Sequence, residues 1–181
     1  MVFTPLHAGF VIPLWLRFRR LDLTALLVGC MLPDFEIPLI WILTAGATDR
    51  IVLHSLFGGL LLGVPIALIV SFYLVPFTIK FLPRNIPGLN LSLFARRPGM
   101  PLKISAFSAL MGLWSHSLID TLMYHGTTAN PTLWPFASEG VALLLIPSDP
   151  ALTAWIWAGI ACILLLLSAR ALARISADVR E

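Results

Sequence analysis

The sequence predicts an all-α integral membrane protein with about four transmembrane helices and a short N-terminal half-membrane helix. Of its 181 residues, 59% are hydrophobic and only 12% are charged, about half the charged fraction of a soluble domain. The apolar runs are far longer than the strands of a membrane β-barrel and lack strict alternation. Only helices would satisfy the backbone of such runs in lipid, and we expect residues 1–181 to form a single transmembrane helical domain.

The expected elements follow from the positions and lengths of the apolar runs. A helix at about residues 3–16 is too short, at ~1.5 Å per residue, to cross a hydrocarbon core of ~30 Å, and the basic cluster RFRR at 17–20 ends it. Pro33 should kink the next helix just before Asp34 and leave backbone carbonyls free near that acid. The predicted spans lie at about residues 21–45, 51–81, 102–124 and 151–172.

Basic residues occur in alternate loops, which predicts the orientation in the membrane. They cluster before the first span, in the loop 82–101 and after the fourth span. By the positive-inside rule, that loop and the C-terminus face the cytoplasm, and we expect a bacterial inner (cytoplasmic) membrane location. The long outward loop at about 124–150 could dip into the interface as a lid. No basic and aromatic array typical of nucleic-acid binding occurs, so we expect no nucleic-acid partner.

Five ionisable residues within or beside the apolar runs form the candidate site: His7, Asp34, His54, His116 and Asp120. A charge in hydrocarbon costs at least ~2.5–3.5 kcal/mol, so such residues are functional candidates by default. Imidazoles and carboxylates are ligands of divalent metals, and the sequence predicts a divalent metal site, with zinc preferred and manganese as the alternative. Counting the helical rise gives depths for His7, Asp34, His116 and Asp120 at which all five residues, with His54 near the start of its span, can meet in the outer half of the bundle.

Each of the five also has a structural interpretation. His7 could simply lie at the interface. Asp34, or His54 together with Ser55, could cap a helix. His116 and Asp120 could form a buried hydrogen bond without metal.

Three further polar residues lie close to the candidate ligands in the sequence. Ser55 and Ser117 flank histidines and could orient them, or could bond to helix carbonyls. Glu36 is expected to face a different side of its helix from Asp34 and to lie at the interface.

Short motifs carry a family resemblance over most of the chain. They are TPLHAG (4–9), GCMLPDF (29–35), HSLFGG (54–59) and WSHSLIDTL (114–122), followed by Gly126 and the LWPF stretch at 133–136. Their order resembles that of the membrane-bound metal-dependent hydrolases of the YdjM-like family. The resemblance implies a metal centre and a hydrolytic activity.

The ligand order is also similar to that of zinc-dependent phospholipase C and the fungal single-strand nucleases, which are soluble helical enzymes that cleave phosphoesters with clustered zinc ions. By this resemblance Asp34, His54, His116 and Asp120 hold one metal. His7 and Asp120 would help to hold a second ion. His125 and Glu139 are the accessory residues available for a third.

The expected function is a membrane-embedded metal-dependent hydrolase that cleaves a phosphoester of a lipid-like substrate through a metal-activated water. Asp34 and Asp120 are the expected catalytic residues, with Asp34 either a ligand or the general base. The motifs HExxH and GxSxG do not occur, which disfavours a zincin protease and a serine lipase. The expected partner is membrane lipid or a lipid-linked substrate. The alternative is a non-enzymatic membrane protein whose polar cluster is a structural or ion-binding network.

Overall fold

The computed structural model describes residues 4–46, 50–82, 91–95, 97, 99–123, 130–137, 141 and 149–178. No β-strand occurs in these residues, although Asn130 and Val141 form an isolated bridge. A 3₁₀ turn covers Leu91–Phe94. The five principal helices are α1 (Thr4–Arg17), α2 (Leu23–Leu43), α3 (Leu56–Ile79), α4 (Leu102–Met123) and α5 (Pro150–Asp178).

Three of the helices are long and apolar enough to cross a membrane: Leu23–Leu43, Leu56–Ile79 and Ala151–Ile175. Their outer faces expose large apolar side chains such as Ile42, Tyr73 and Trp155, which lipid would cover. The prediction of an all-α membrane protein is therefore confirmed.

The third predicted span, at 102–124, corresponds to α4, which has 22 residues but is not among these three. It carries several serines together with His116 and Asp120, so its polar side chains lower its hydropathy. These polar groups are covered by protein, since Ser105, Ser108 and Ser117 are all buried.

The first helix is short, as predicted, and is held against other helices. With 14 residues, α1 reaches only about 21 Å at the usual rise. A Cβ added at Gly9 would collide with the carbonyl oxygen of Ala161 in α5. On another face, Val11 and Trp15 pack with Leu26 of α2 in the main apolar core. Contact with protein on both sides makes a helix of this length tolerable at membrane depth.

The helices α2 and α4 cross with their backbones in direct contact. A Cβ added at Gly29 would collide with the carbonyl oxygen of Ala109, and a Cβ at Gly112 would collide with that of Leu26. Small residues allow this close approach, which is common between membrane helices. The crossing places the backbone of α2 beside the turn of α4 that carries His116.

The long helix α3 continues through Pro65 and Pro76 because two wider turns precede these prolines. The π-helical turns cover Gly59–Gly63 and Val70–Leu74. A proline lacks the N–H donor and crowds the carbonyl four residues earlier, and a π turn absorbs this conflict. The helix begins at Leu56, later than the predicted start at residue 51, with Ser55 as its N-cap.

The basic segments of the sequence meet at one end of the bundle. Asp22 caps α2, and its carboxylate accepts a 2.6 Å hydrogen bond from the Ser105 hydroxyl of α4. The guanidinium of Arg97 donates to the carbonyl oxygen of Arg19 at 2.7 Å. The histidines and acids of the candidate site lie further along α2 and α4, away from this end.

Candidate metal centre

The structure brings all five predicted residues together around Asp120. The Nε2 atom of His7 lies 3.4 Å from Oδ1 of Asp120. The Nε2 atoms of His54 and His116 lie 3.7 and 3.5 Å from its Oδ2. His116 Nε2 is also 3.6 Å from Oδ1 of Asp34. Four separate segments of chain therefore converge on one buried point.

Two sets of potential ligands emerge among the described residues. The first is His7, Asp34 and His116, and the second is His54, His116 and Asp120. Within each set the ligand atoms lie within 4.8 Å of one another. This grouping differs from the one implied by the resemblance, because Asp34 is grouped with His7 rather than with His54. His116 belongs to both sets and occupies the middle of the cluster.

Several buried polar atoms of this cluster have no hydrogen-bond partner. They include Nε2 of His7, His54 and His116, together with Oδ2 of Asp34 and Oδ1 of Asp120. Buried polar atoms are almost always hydrogen-bonded, and each one left unpaired costs about 1–3 kcal/mol. Imidazole and carboxylate atoms that are buried, unpaired and close to one another are an arrangement that a cation would satisfy. The donor set therefore fits a divalent metal.

Two histidines are oriented by their other ring nitrogen. Nδ1 of His116 lies 2.7 Å from the carbonyl oxygen of Cys30, and Nδ1 of His54 lies 3.3 Å from Oε2 of Glu36. A carbonyl and an ionised carboxylate can only accept, so each Nδ1 is the donor. The Nε2 atoms are then free to bind a metal, as in the carboxylate–histidine pairs of zinc proteins.

The expectation that Glu36 lies at the interface is wrong. Its side chain is only 5% exposed. Its carboxylate accepts hydrogen bonds from the backbone N–H groups of Ile51, Val52 and Leu53, at 3.1, 2.6 and 2.6 Å. These donors belong to a non-helical segment, and they compensate for burying the charge. The same bonds explain why α3 starts only after His54.

Arg50 is a second residue near the site that sequence reasoning missed. It lies at the end of the first predicted outward loop, its side chain is only 4% exposed, and its Nε lies 3.8 Å from Oδ2 of Asp120. A possible signal is that Arg50 is a basic residue in a loop on the acidic, outward side of the predicted topology.

The two serines do not orient the histidines. Ser55 caps α3, because its hydroxyl accepts from the N–H of Gly58 at 2.9 Å and donates to the carbonyl of Val52 at 2.7 Å. The Ser117 hydroxyl is buried without a hydrogen-bond partner. The orienting groups are instead the Cys30 carbonyl and the Glu36 carboxylate.

A buried asparagine ties segment 130–137 to the site. The amide of Asn130 donates to the carbonyl oxygens of His54 and Ser117, at 3.1 and 2.9 Å. The N–H of Leu56 donates to the carbonyl oxygen of Thr132 at 3.0 Å. These bonds hold segment 130–137 beside the cluster, with Phe136 81% exposed. The predicted accessory residues His125 and Glu139 lie outside the described residues.

Removing the charge of Glu36 should weaken metal binding. In Glu36→Gln, the backbone donors at 51–53 and His54 Nδ1 lose a charged acceptor, so we expect a 10- to 100-fold lower metal affinity, typical of a lost outer-shell partner. Competition with a chromogenic chelator would measure it. Cys30→Ala provides the contrast, since it keeps the carbonyl that orients His116 and should retain the metal. Equal affinities for wild type and Glu36→Gln would contradict this role.

Comparison with known proteins places the chain in a family without assigning an activity. No curated protein and no solved structure matches the chain. A family model described as "Domain of unknown function (DUF4184)" matches residues 1–172. This range includes the five candidate ligands as well as Glu36 and Arg50, and the chain belongs to the DUF4184 family.

Proposed function

We propose that the protein is a membrane-embedded hydrolase that uses one or two divalent cations, zinc first among them, to cleave a phosphoester of a lipid-like substrate. The observation that carries this proposal is the convergence of unpartnered Nε2 and carboxylate oxygen atoms in a buried site. The order of the ligands along the chain, which resembles that of metal-dependent phosphoesterases, supports the type of reaction.

The two aspartates differ in exposure, and this suggests separate roles. Asp120 is 2% exposed and lies against three histidines, whereas the Asp34 side chain is 16% exposed. A bound zinc ion with an open position lowers the pKa of water to ~7 and polarises a phosphoryl oxygen. In this proposal Asp120 serves as a ligand. Asp34, whose side chain is the more exposed of the two, takes the proton from water in this proposal.

The surroundings of the site favour a substrate with an apolar chain. An apolar cavity of about 350 Å³ lies between α2 and α3, lined by Val28, Met31, Leu32, Phe35, Val70 and Leu74. Phe35 directly follows Asp34 in α2. An acyl or prenyl chain lying in this cavity would bring its head group towards the turn of α2 that carries Asp34.

A structural or ion-binding network is the second candidate function. Arg50 and the three histidines surround Asp120 and could neutralise it without a metal. In that case, however, we would expect the facing atoms to form hydrogen bonds with one another. The unpartnered atoms therefore favour the metal centre.

Metal removal tests the proposed function directly. We expect the purified protein to contain near-stoichiometric zinc or manganese by elemental analysis. Chelation should abolish hydrolysis of phospholipid or polyprenyl phosphate esters, and added metal should restore it. Metal at a hundred times its Kd should also stabilise the fold by about 2.7 kcal/mol. A chelator already saturated with zinc is the control. A purified protein that contains no metal, and whose thermal stability does not change when metal is added, would contradict the proposal and support the structural or ion-binding network.

A further inference from the structure

Arg50 is a buried cation at the edge of the candidate metal centre, and the hydrolysis described above gives it no role. Its Nε lies 3.8 Å from Oδ2 of Asp120. That same oxygen is approached by Nε2 of His54 at 3.7 Å and by Nε2 of His116 at 3.5 Å. The guanidinium therefore borders the ligand set formed by His54, His116 and Asp120.

The charges of the described site show what Arg50 would do when a metal is bound. With the three histidines neutral, as metal ligands must be, the carboxylates of Asp34, Glu36 and Asp120 exceed this one guanidinium by two negative charges. One divalent cation would make the site neutral. Once Asp120 binds the cation, its need for Arg50 as a counter-ion falls. The guanidinium could then face an anionic group that enters next to the metal.

The geometry at Asp120 is compatible with this exchange. The distance of 3.8 Å exceeds the range of about 2.7–3.2 Å for a direct N–H···O hydrogen bond, so Nε is not bonded to that oxygen. A guanidinium presents five donors in a planar fork that matches two oxygens of a phosphoryl group. It is also more weakly hydrated than an ammonium group, which suits a buried position.

We propose that Arg50 binds the phosphoryl group of the substrate and makes the site selective for anionic phosphoesters over neutral carboxyl esters. The inference rests on the proposed function, because it requires a metal beside Asp120. It goes further by assigning the residue that recognises the charged head group.

Inorganic phosphate is the probe for this role. Four full-length proteins would be purified and loaded with zinc: wild type, Arg50→Gln, Arg50→Lys and the control Arg17→Gln. The control changes an exposed arginine at the end of α1. Elemental analysis gives the zinc content, and titration calorimetry gives phosphate affinity. We expect Arg50→Gln to keep its zinc and to bind phosphate about tenfold or more weakly. Arg50→Lys should fall between it and wild type, because it keeps the charge but loses the fork. The control should match wild type.

The possible failures are distinguishable. If Arg50→Gln binds phosphate with wild-type affinity, this inference is wrong but the proposed function stands. The same holds if both Arg50 variants lose zinc, because Arg50 would then be a counter-ion of Asp120. If Arg50→Gln does not fold, Arg50→Lys decides, and wild-type phosphate affinity in that variant would overturn the inference. A wild type that takes up no zinc would overturn the proposed function and this inference with it.

Discussion

Asp120→Asn should lose both metal and hydrolytic activity while the helical bundle stays folded. Asp120 lies within 3.8 Å of Arg50 and of all three histidines, so its charge is central to the cluster. Asparagine keeps the size but removes the charge that would neutralise a cation. Losing an outer-shell partner of a metal typically costs up to about a hundredfold in activity. Asp120 is proposed to bind the metal directly, so we expect activity to fall by more than that. Metal content, thermal stability and phosphoesterase activity should be measured on one sample.

The matched control for this substitution is Asp149→Asn. Asp149 is exposed and caps α5, where its carboxylate accepts from the N–H of Leu152 at 2.8 Å. Asparagine is an equally good N-cap, so this variant should behave as wild type. Under the network hypothesis, Asp120→Asn would instead leave the metal-free protein intact, since an amide can still bond to a histidine, and removing a buried charge can be stabilising. An Asp120→Asn protein that retains metal and full activity would refute the hydrolase proposal.

Gly112→Ala should damage the fold and the site together. The added Cβ would collide with the carbonyl of Leu26 and would lie 2.7 Å from the N atom of Cys30. Both contacts are with backbone, which cannot rotate away, so α2 and α4 must move apart. Overpacking of this kind costs about 1–3 kcal/mol. The movement also stretches the 2.7 Å bond from His116 to the carbonyl of Cys30, so metal affinity should fall with stability. Thermal unfolding and chelator competition would measure the two effects.

Gly159→Ala is the control for this substitution. Gly159 also lies in a long helix, α5, but a Cβ there would meet no atom within 4 Å. Alanine should therefore leave stability unchanged or raise it by about 0.5–1 kcal/mol, because it restricts the unfolded chain. If Gly112→Ala were as stable and as rich in metal as Gly159→Ala, the close crossing of α2 and α4 would not position His116.

The helices and the five clustered residues could be predicted because both depend on the linear pattern of the chain. Long apolar runs can only be helices in lipid, and an ionisable residue inside such a run is conspicuous. Counting the helical rise also placed Asp34, His116 and Asp120 at similar depths. The hydrocarbon thickness fixes the scale, so the arithmetic needs no knowledge of how the helices pack.

Glu36 and Arg50 were missed because their roles depend on chain that is not helical. The second span was predicted to start at residue 51. A helix starting there would also leave its first N–H groups without carbonyl partners, but the sequence does not indicate which distant side chain accepts them. In the structure, Glu36 accepts hydrogen bonds from three N–H groups of that segment. Such bonds to a non-helical segment leave no periodic pattern in the sequence. Arg50 comes to Asp120 by the same turn. Asn130 likewise acts through backbone carbonyls that only the folded chain brings near it.

The contact between α1 and α5 has a consequence for how the protein is made. His7 is the first candidate ligand to leave the ribosome, yet its helix is too short to hold a transmembrane position by itself. One side of α1 packs at Gly9 against Ala161, in a helix that is synthesised after the other four. We therefore expect His7 to reach its final place only after α5 has inserted. A nascent or truncated chain without α5 would then lack a correctly placed His7, so the five candidate ligands would come together only after α5 is made.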